Sequence, residues 1–197
     1  MKPDERLVSF IKNSGDVIYT YQLSQAGFHR SVLEQLILSG ELVRLSRGVY
    51  IKPNAWEDEF FLLQNRFGKG IFSNETALYL HGFSDRTPAR FVMTFPKGYN
   101  TVSLKEENVI MKRAVMDNYL LGITEVSSPA GNLLKAYDIE RTLCDIVRGN
   151  NTCDIQIVNQ AMKRYAASKD KNIHKLMEYA TQLRVKPKIL NYMEVLL

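Results

Sequence analysis

The first 53 residues space their apolar positions as short helices and strands. The predicted helices cover residues 4–12, 20–25 and 30–39, and the predicted strands cover residues 17–19, 43–46 and 49–52. The third helix carries Leu33, Leu36 and Ile37 on one side, which is the spacing of an amphipathic helix. Gly27 suits the left-handed conformation that ends a helix, and Gly48 suits the tip of a hairpin. This order of elements is typical of a winged helix-turn-helix domain.

The remaining residues, 54–197, mix helical and alternating patterns and predict a second domain. The predicted helices cover residues 56–67, 73–81, 139–147 and most of 154–197, and the predicted strands cover residues 90–95, 108–115 and 122–126. Asp138 is the expected N-cap of the helix at 139–147, and Pro187 suits the start of the last helix. We therefore predict an α+β protein. A winged helix-turn-helix domain over residues 1–53 is followed by a mixed domain with a small β-sheet and several helices over residues 54–197.

Composition places the chain among folded proteins without a membrane span. Its 197 residues are 45% apolar, and the 24% that are charged include both signs. That length allows one large domain or two small ones, each with an apolar core. No apolar run approaches the roughly 18 residues that cross a bilayer, and the first residues lack the apolar segment of a secretory signal. We therefore expect a cytoplasmic protein that does not bind membranes.

Cysteine and histidine usage shows no pattern of a metal site. Cys144 and Cys153 are too few for a disulfide framework. His29, His81 and His174 are isolated along the chain, and no Cys-x-x-Cys pair is present. We expect a reduced protein without a structural metal or a cofactor.

The chain is basic, and its positive charge is concentrated near the end. The formal net charge is +5, which mildly indicates a polyanionic partner. Between residues 163 and 197, eight lysines and arginines stand against three acidic residues. The basic C-terminal face is defined by Lys163, Arg164, Lys169, Lys171 and Lys175. It could be a second nucleic-acid surface, a surface for an acidic protein, or an ordinary solvated face.

The predicted third helix and the hairpin carry residue types that bind duplex DNA. In winged helices the start of the third helix meets base edges, and the hairpin meets phosphates or the minor groove. The candidates on the helix are His29, Arg30, Ser31 and Gln35, and the candidates on the hairpin are Arg44, Arg47 and Lys52. Arg30 is the first choice for base reading, because a guanidinium can donate two hydrogen bonds to guanine O6 and N7. The same residues could instead form solvated faces, or a winged-helix module that binds another protein.

The sequence contains no motif of a known catalytic mechanism. It lacks a Gly-rich phosphate loop with Gly-Lys-Ser/Thr, a Gly-x-Ser-x-Gly turn and a His-Glu-x-x-His helix. Glu140 and Asp145 share a predicted helix but lie about 140° apart around its axis, so the two carboxylates do not converge. Cys144 on the same helix is expected to be a small buried apolar residue. We therefore expect no enzymatic activity.

Several blocks of the sequence, in order along the chain, resemble the AbiEi family of antitoxins. The blocks are Gly27–Arg30, Gly40–Tyr50, Phe72–Gly82, Phe91–Pro96 and Asp138–Asp145. The first two resemble the family's N-terminal winged helix, and the last carries its Glu-Arg-Thr-x-x-Asp pattern. The resemblance spans nearly the full chain, and the helices after Asn151 are the least diagnostic part.

This resemblance implies a bacterial type IV toxin–antitoxin system of the kind tied to abortive infection by phage. The partner would be a nucleotidyltransferase-like toxin that is counteracted without a stable complex. The winged helix would bind double-stranded operator DNA at inverted repeats in the promoter and repress the operon. Two copies are expected on such an operator, because an inverted repeat presents two half-sites. An open alternative is an enzyme that reverses a modification made by the toxin.

The blocks Phe72–Gly82 and Asp138–Asp145 supply four further candidate residues, Glu75, Glu140, Arg141 and Asp145. In a structural interpretation, Glu75 and Arg141 form an ion pair between the two motif helices. In a functional interpretation, Glu140, Arg141 and Asp145 line a surface that acts on the toxin or on its substrate. The residues alone leave both interpretations open.

Overall fold

The computed structural model describes residues 5–46, 48–53, 58–100, 108–149 and 153–196. Over these residues the protein is α+β, with ten helices and two small sheets. The chain divides into two compact units, Met1–Arg66 and Phe67–Leu197, named unit 1 and unit 2 below. The sequence pattern places the junction after Pro53, whereas the helix that follows belongs to the first compact unit.

Unit 1 consists of short helices around a three-stranded antiparallel sheet. Its elements are α1 (Glu5–Asn13), β1 (Val17–Tyr19), α2 (Thr20–Gln25), α3 (Ser31–Leu38), β2 (Val43–Ser46), β3 (Val49–Ile51) and α4 (Glu59–Arg66). The strand order is β1-β3-β2, with Ile18 and Arg44 both opposite Tyr50 on the central strand. The elements predicted for residues 1–53 therefore form, each within one residue of its predicted ends.

Apolar residues from α1, α2, α3 and the sheet meet in one core. The buried members are Leu7, Ile11, Ile18, Leu23, Leu33, Leu36, Leu42 and Tyr50. Gly27, with φ +82°, reverses the chain after α2, so that Phe28 packs on this core. On α3, Leu33 and Leu36 are buried as predicted, whereas Ile37 is 36% exposed. The core therefore holds one side of α3 and leaves its other sides at the surface.

Strands β2 and β3 form the predicted hairpin, and the hairpin is tied to the start of α2. The Thr20 N–H donates to the Gly48 carbonyl at 2.9 Å. Gly48 has φ +82°, and a Cβ on it would stand 3.5 Å from Thr20 Oγ1. Arg47, at the predicted tip, lies outside the described residues. The hairpin is thus held beside the helices by a glycine in the left-handed conformation.

Unit 2 combines a five-stranded mixed sheet with several helices. Its elements are β4 (Ile71–Phe72), α5 (Asn74–Leu80), β5 (Phe91–Pro96), β6 (Val109–Ala114), α6 (Met116–Leu120), β7 (Ile123–Ser127), β8 (Leu133–Tyr137), α7 (Ile139–Ile146), α8 (Ile155–Ala167), α9 (Ile173–Gln182) and α10 (Lys186–Leu196). The strand order is β6-β5-β4-β8-β7. The pairs β5–β6 and β4–β8 are parallel, and the pairs β4–β5 and β7–β8 are antiparallel. The sequence pattern does not predict β4, α6 or β8.

The helices of unit 2 enclose a second core, and α7 lies within it. Buried side chains of α5, α7, α8, α9 and α10 contribute, among them Leu78, Leu143, Met162, Leu176 and Ile189. Six of the eight residues of α7 are buried, including Cys144, as predicted. No helix in the described ranges has both the length and the apolar character needed to cross a membrane.

Candidate functional site

A groove of about 730 Å³ lies in unit 1 between the start of α3, the side of α2 and the hairpin. Its lining residues are Thr20, Ser24, Phe28, His29, Arg30, Leu33, Glu34, Ile37, Arg44, Gly48 and Tyr50. Three of the predicted DNA-binding residues, His29, Arg30 and Arg44, therefore share one concave surface. They share it because β2 follows α3 after a short turn and residues of both elements line the groove.

The start of α3 presents Arg30 at the surface. Arg30 occupies the N-cap position, its carbonyl accepts from the Leu33 N–H at 3.1 Å, and its side chain is exposed. The neighbouring Ser31 hydroxyl is 2.9 Å from His29 Nδ1, so a hydrogen bond holds these two exposed side chains together. Backbone N–H groups at a helix start, together with a guanidinium, form a surface that suits an anionic ligand.

The other predicted DNA-binding residues lie outside the groove lining or outside the described residues. Lys52 donates from Nζ to the Ser14 carbonyl at 2.7 Å, which ties the end of β3 to the turn before β1. Ser31 and Gln35 are exposed on α3 but do not line the groove. Arg47 is not among the described residues. The groove therefore joins only part of the predicted set.

Sequence reasoning did not select Thr20, Ser24 and Glu34, which also line the groove. Thr20 and Ser24 stand four residues apart on α2, the spacing that places two side chains on one face of a helix. Glu34 adds a carboxylate beside Arg30 one turn along α3. Hydroxyl groups can donate to phosphate oxygens, and a carboxylate can accept from an amino group.

Arg141, in unit 2, is buried and bonds within the protein. Its Nε donates to Asp145 Oδ2 at 3.0 Å, and its Nη1 donates to the carbonyls of Asn118 and Leu121. Its guanidinium carbon lies 4.3 Å from the centre of the Tyr137 ring. Burial raises the pKa of Asp145, and the adjacent Arg141 lowers it by less, so the net pKa is raised. These contacts tie α7 to the segment around α6.

The structure does not form the predicted ion pair between Glu75 and Arg141. Arg141 pairs instead with Asp145, one turn along α7. The Glu75 carboxylate accepts a hydrogen bond from Cys153, and burial together with this carboxylate raises the pKa of the Cys153 thiol to about 12. A Cβ on Gly122 would stand 2.8 Å from Arg141 Cβ, so the turn before β7 closes over Arg141.

Glu140 lies in a buried polar network that joins α7 to α8 and α9. The Tyr165 hydroxyl donates to Glu140 Oε1 at 3.1 Å, and Lys175 Nζ lies 3.4 Å from Glu140 Oε2 and 2.9 Å from Asp138 Oδ2. Burial, followed by the charge of Glu140, raises the pKa of Tyr165. Burial lowers the pKa of Lys175, but its hydrogen bond to Asp138 and the nearby carboxylates raise it by more. These contacts support a structural role for Glu140.

The five residues of the basic C-terminal face have separate surroundings. Three of them bond within unit 2: Arg164 to Asp85, Lys171 to the Ser168 carbonyl, and Lys175 to Asp138. Lys163 and Lys169 are exposed. The three bonded side chains connect loops and helices of unit 2, which is the ordinary structural use of such residues.

The remaining chemistry-bearing residues show no arrangement for metal binding. Within the described residues, no three His, Cys, Asp or Glu side chains are grouped so that they could hold a metal ion. Burial raises the pKa of Cys144 to about 12, so its thiol stays protonated near neutral pH.

Comparison with known proteins shows a similarity to a solved structure. No protein family and no curated protein matches the chain. Among solved structures, the crystal structure of the RV2827C protein from Mycobacterium tuberculosis is similar, with a TM-score of 0.62 and 18% sequence identity. The similarity covers 96% of this chain and 76% of that chain. At this identity the comparison indicates a shared fold.

Proposed function

We propose that unit 1 is a winged helix-turn-helix domain that binds double-stranded operator DNA. The observation that carries this proposal is the groove shared by the start of α3 and the hairpin, which Arg30 and Arg44 both line. In a winged helix, the third helix enters the major groove while the hairpin contacts the adjoining backbone. An exposed arginine on each of these two elements supports that mode of binding.

Five polar residues of the groove have distinct roles in this proposal. Arg30 donates two hydrogen bonds to guanine O6 and N7, and Glu34 accepts from a cytosine amino group. Arg44 on β2 binds backbone phosphate, where a cation adds affinity without sequence preference. The hydroxyls of Thr20 and Ser24 add polar contacts to the same backbone.

A mobility-shift titration of the full chain with the duplex upstream of its own gene tests this proposal. Arg30→Ala is expected to weaken binding by roughly 1–3 kcal/mol and to relax the preference at one base pair, because the bidentate contact is lost. Lys12→Ala is the matched control, because Lys12 is an exposed cation on α1 outside the groove lining. Equal losses from both variants, or no loss from Arg30→Ala, would contradict the proposal.

We further propose that the protein is an antitoxin that represses its own operon and counteracts a nucleotidyltransferase-like toxin without a stable complex. The AbiEi-like blocks support this, in particular Phe72–Gly82 and Asp138–Asp145 in unit 2. Two copies would bind inverted repeats in the promoter. Co-expression with the product of the neighbouring gene tests the antitoxin role: growth arrest should be relieved, and the two proteins should not co-purify. Unrelieved arrest would contradict it.

A protein-interaction module is a second candidate function for unit 1, and exposed apolar side chains favour it. Ile37, Leu38 and Val43, at the end of α3 and the start of β2, are 36%, 88% and 47% exposed. Neighbouring exposed apolar residues are typical of surfaces that bind proteins. The mobility-shift titration separates the two functions, because a module that binds only protein leaves the upstream duplex unshifted.

A further inference from the structure

The imidazole ring of His29, just before α3, makes two contacts with Ser31 through one of its nitrogens. The Ser31 backbone N–H donates to His29 Nδ1 at 3.4 Å, and the Ser31 hydroxyl lies 2.9 Å from the same nitrogen. The other ring nitrogen, Nε2, has no hydrogen-bond partner within the described residues. Both side chains are exposed, so the pair lies at the surface of unit 1.

These contacts determine which nitrogen of the neutral His29 ring carries the proton. A backbone N–H can only donate, so Nδ1 accepts and does not itself carry a proton. In a neutral imidazole one nitrogen accepts while the other donates, so the proton is then on Nε2. The hydrogen of the Ser31 hydroxyl can rotate, which allows the hydroxyl to donate to Nδ1 as well.

The Nε2–H group adds a hydrogen-bond donor to the groove of unit 1. His29 lines this groove, whereas Ser31 does not. Nδ1 is turned toward Ser31, so Nε2, on the other side of the ring, is the nitrogen left for a ligand. Arg30 and Arg44 line the same groove and can only donate, and Glu34 is the one acidic residue of the lining. This excess of donors favours a ligand rich in acceptor atoms, such as duplex DNA.

We propose that Ser31 is a positioning residue that holds His29 in the tautomer with its proton on Nε2, so that His29 donates one hydrogen bond to an acceptor atom of the duplex. A phosphate oxygen and a purine N7 are both acceptors of this kind. The inference rests on the DNA-binding proposal for unit 1, and it adds the atom through which His29 acts and the role of Ser31.

Nitrogen-15 NMR of the His29 ring in the full chain tests the tautomer without DNA. At about pH 8.5, where histidine rings are neutral, Nε2 should give the signal of a protonated nitrogen and Nδ1 that of an unprotonated acceptor. Ser31→Ala should move the Nδ1 signal, because the hydroxyl contact is lost, and Ser31→Thr should keep it. A proton on Nδ1, or an Nδ1 signal that Ser31→Ala leaves unchanged, would overturn the proposal.

Mobility shifts of His29 variants with the upstream duplex test the use of Nε2. A glutamine places its amide nitrogen about where Nε2 lies, whereas an asparagine reaches only as far as Nδ1. His29→Asn and His29→Ala are expected to weaken binding about two- to tenfold, because one hydrogen bond is lost, and His29→Gln by less than about twofold. His174→Ala, which removes an exposed histidine of unit 2, is the matched control and should bind as wild type. Tighter binding by His29→Asn than by His29→Gln would overturn the proposal.

A double-mutant cycle separates positioning by Ser31 from a direct contact between Ser31 and DNA. Ser31→Ala should weaken binding by the wild-type chain and have no further effect in the His29→Ala chain, because the hydroxyl acts through the ring. Equal losses in the two backgrounds would assign a direct contact and overturn the positioning role.

The same titrations on a scrambled duplex identify the acceptor atom. A loss from His29→Asn that is equal on both duplexes assigns a phosphate oxygen, and a loss confined to the upstream duplex assigns a purine N7. A wild-type chain that shifts neither duplex would contradict the DNA-binding proposal, and this inference would fail with it. Equal affinity of wild type and His29→Ala for the upstream duplex would contradict this inference alone.

Discussion

Arg141 and Arg30 carry the same guanidinium group in opposite surroundings, one buried and one exposed. Arg141 is 1% exposed, and its N–H groups donate hydrogen bonds to partners inside unit 2. Arg30 is exposed at the start of α3, where its donors face a groove. A buried guanidinium is needed by the carboxylate that it neutralises, whereas an exposed one is available to a ligand. Substitution should therefore affect stability at Arg141 and binding at Arg30.

Replacement of Arg141 by alanine is expected to lower the free energy of unfolding by about 3–5 kcal/mol, because the buried Asp145 carboxyl would lose its ion-pair partner. Urea unfolding followed by circular dichroism measures this. Lys163→Ala, at an exposed position on α8, should change stability by less than about 0.5 kcal/mol. An unchanged unfolding curve for Arg141→Ala, together with loss of rescue from toxin arrest, would instead indicate a surface role for this residue.

Local features at the residue scale are predictable from the sequence, and long-range partners are not. The cap at Asp138 is confirmed, because its carboxylate accepts from the Arg141 N–H at 2.8 Å. The left-handed turn at Gly27 is confirmed as well. The carbonyls that hold Arg141 belong to residues 20 and 23 positions earlier in the chain. Helical spacing describes one helix at a time, so it carries no information about such partners.

The hairpin of unit 1 depends on backbone conformation at Gly48. With φ +82° and Thr20 Oγ1 close by, an alanine there would be strained. Gly48→Ala is expected to destabilise unit 1 by at least about 1 kcal/mol and to weaken DNA binding through the displaced hairpin. Chemical denaturation and the mobility shift measure the two effects. Gly15→Ala is the control, because a Cβ there meets nothing within 4 Å; a loss as large as that of Gly48→Ala would contradict the account.

The contacts of α8 and α9 with α7 should make the stability of unit 2 sensitive to alkaline pH. The pKa of Tyr165 in the folded protein is raised above 10.0, so the folded state holds the phenolic proton more tightly than the unfolded state. Stability should therefore fall as pH rises past 10.0. Urea unfolding at neutral pH and above pH 10.0 should show a smaller fall in stability for Tyr165→Phe than for wild type. Identical falls in the two proteins would contradict this.

At the scale of elements, the sequence predicts those helices and strands that have a regular apolar spacing of their own. The helices and strands of residues 1–53 follow because each has its own apolar spacing, and Gly27, Gly40 and Gly48 mark the turns after α2, α3 and β2. Strand β4 is only two residues long and exists through its pairing with β5 and β8. Strand β8 likewise lies in the sheet because β7 and β4 flank it. Such elements are defined by partners distant in sequence, so the pattern along the chain does not reveal them.

At the scale of the whole molecule, each compact unit has its own core. Unit 1 carries the candidate groove with Arg30 and Arg44, and in unit 2 Arg141 is held by partners within that unit. The sequence predicts the residues of this groove in part, because arginines on a helix start and on a hairpin are local features. The internal partners of Arg141 come from segments distant in sequence, so only the fold reveals them.

The most direct test of DNA binding by unit 1 is the salt dependence of affinity for the upstream duplex, measured by fluorescence anisotropy with the full chain. We expect the logarithm of affinity to fall linearly and steeply with the logarithm of salt concentration, because several phosphates are neutralised. Arg44→Ala should reduce the magnitude of this slope by about 1. An affinity that stays constant from low to physiological salt, or no binding even at low salt, would contradict the account.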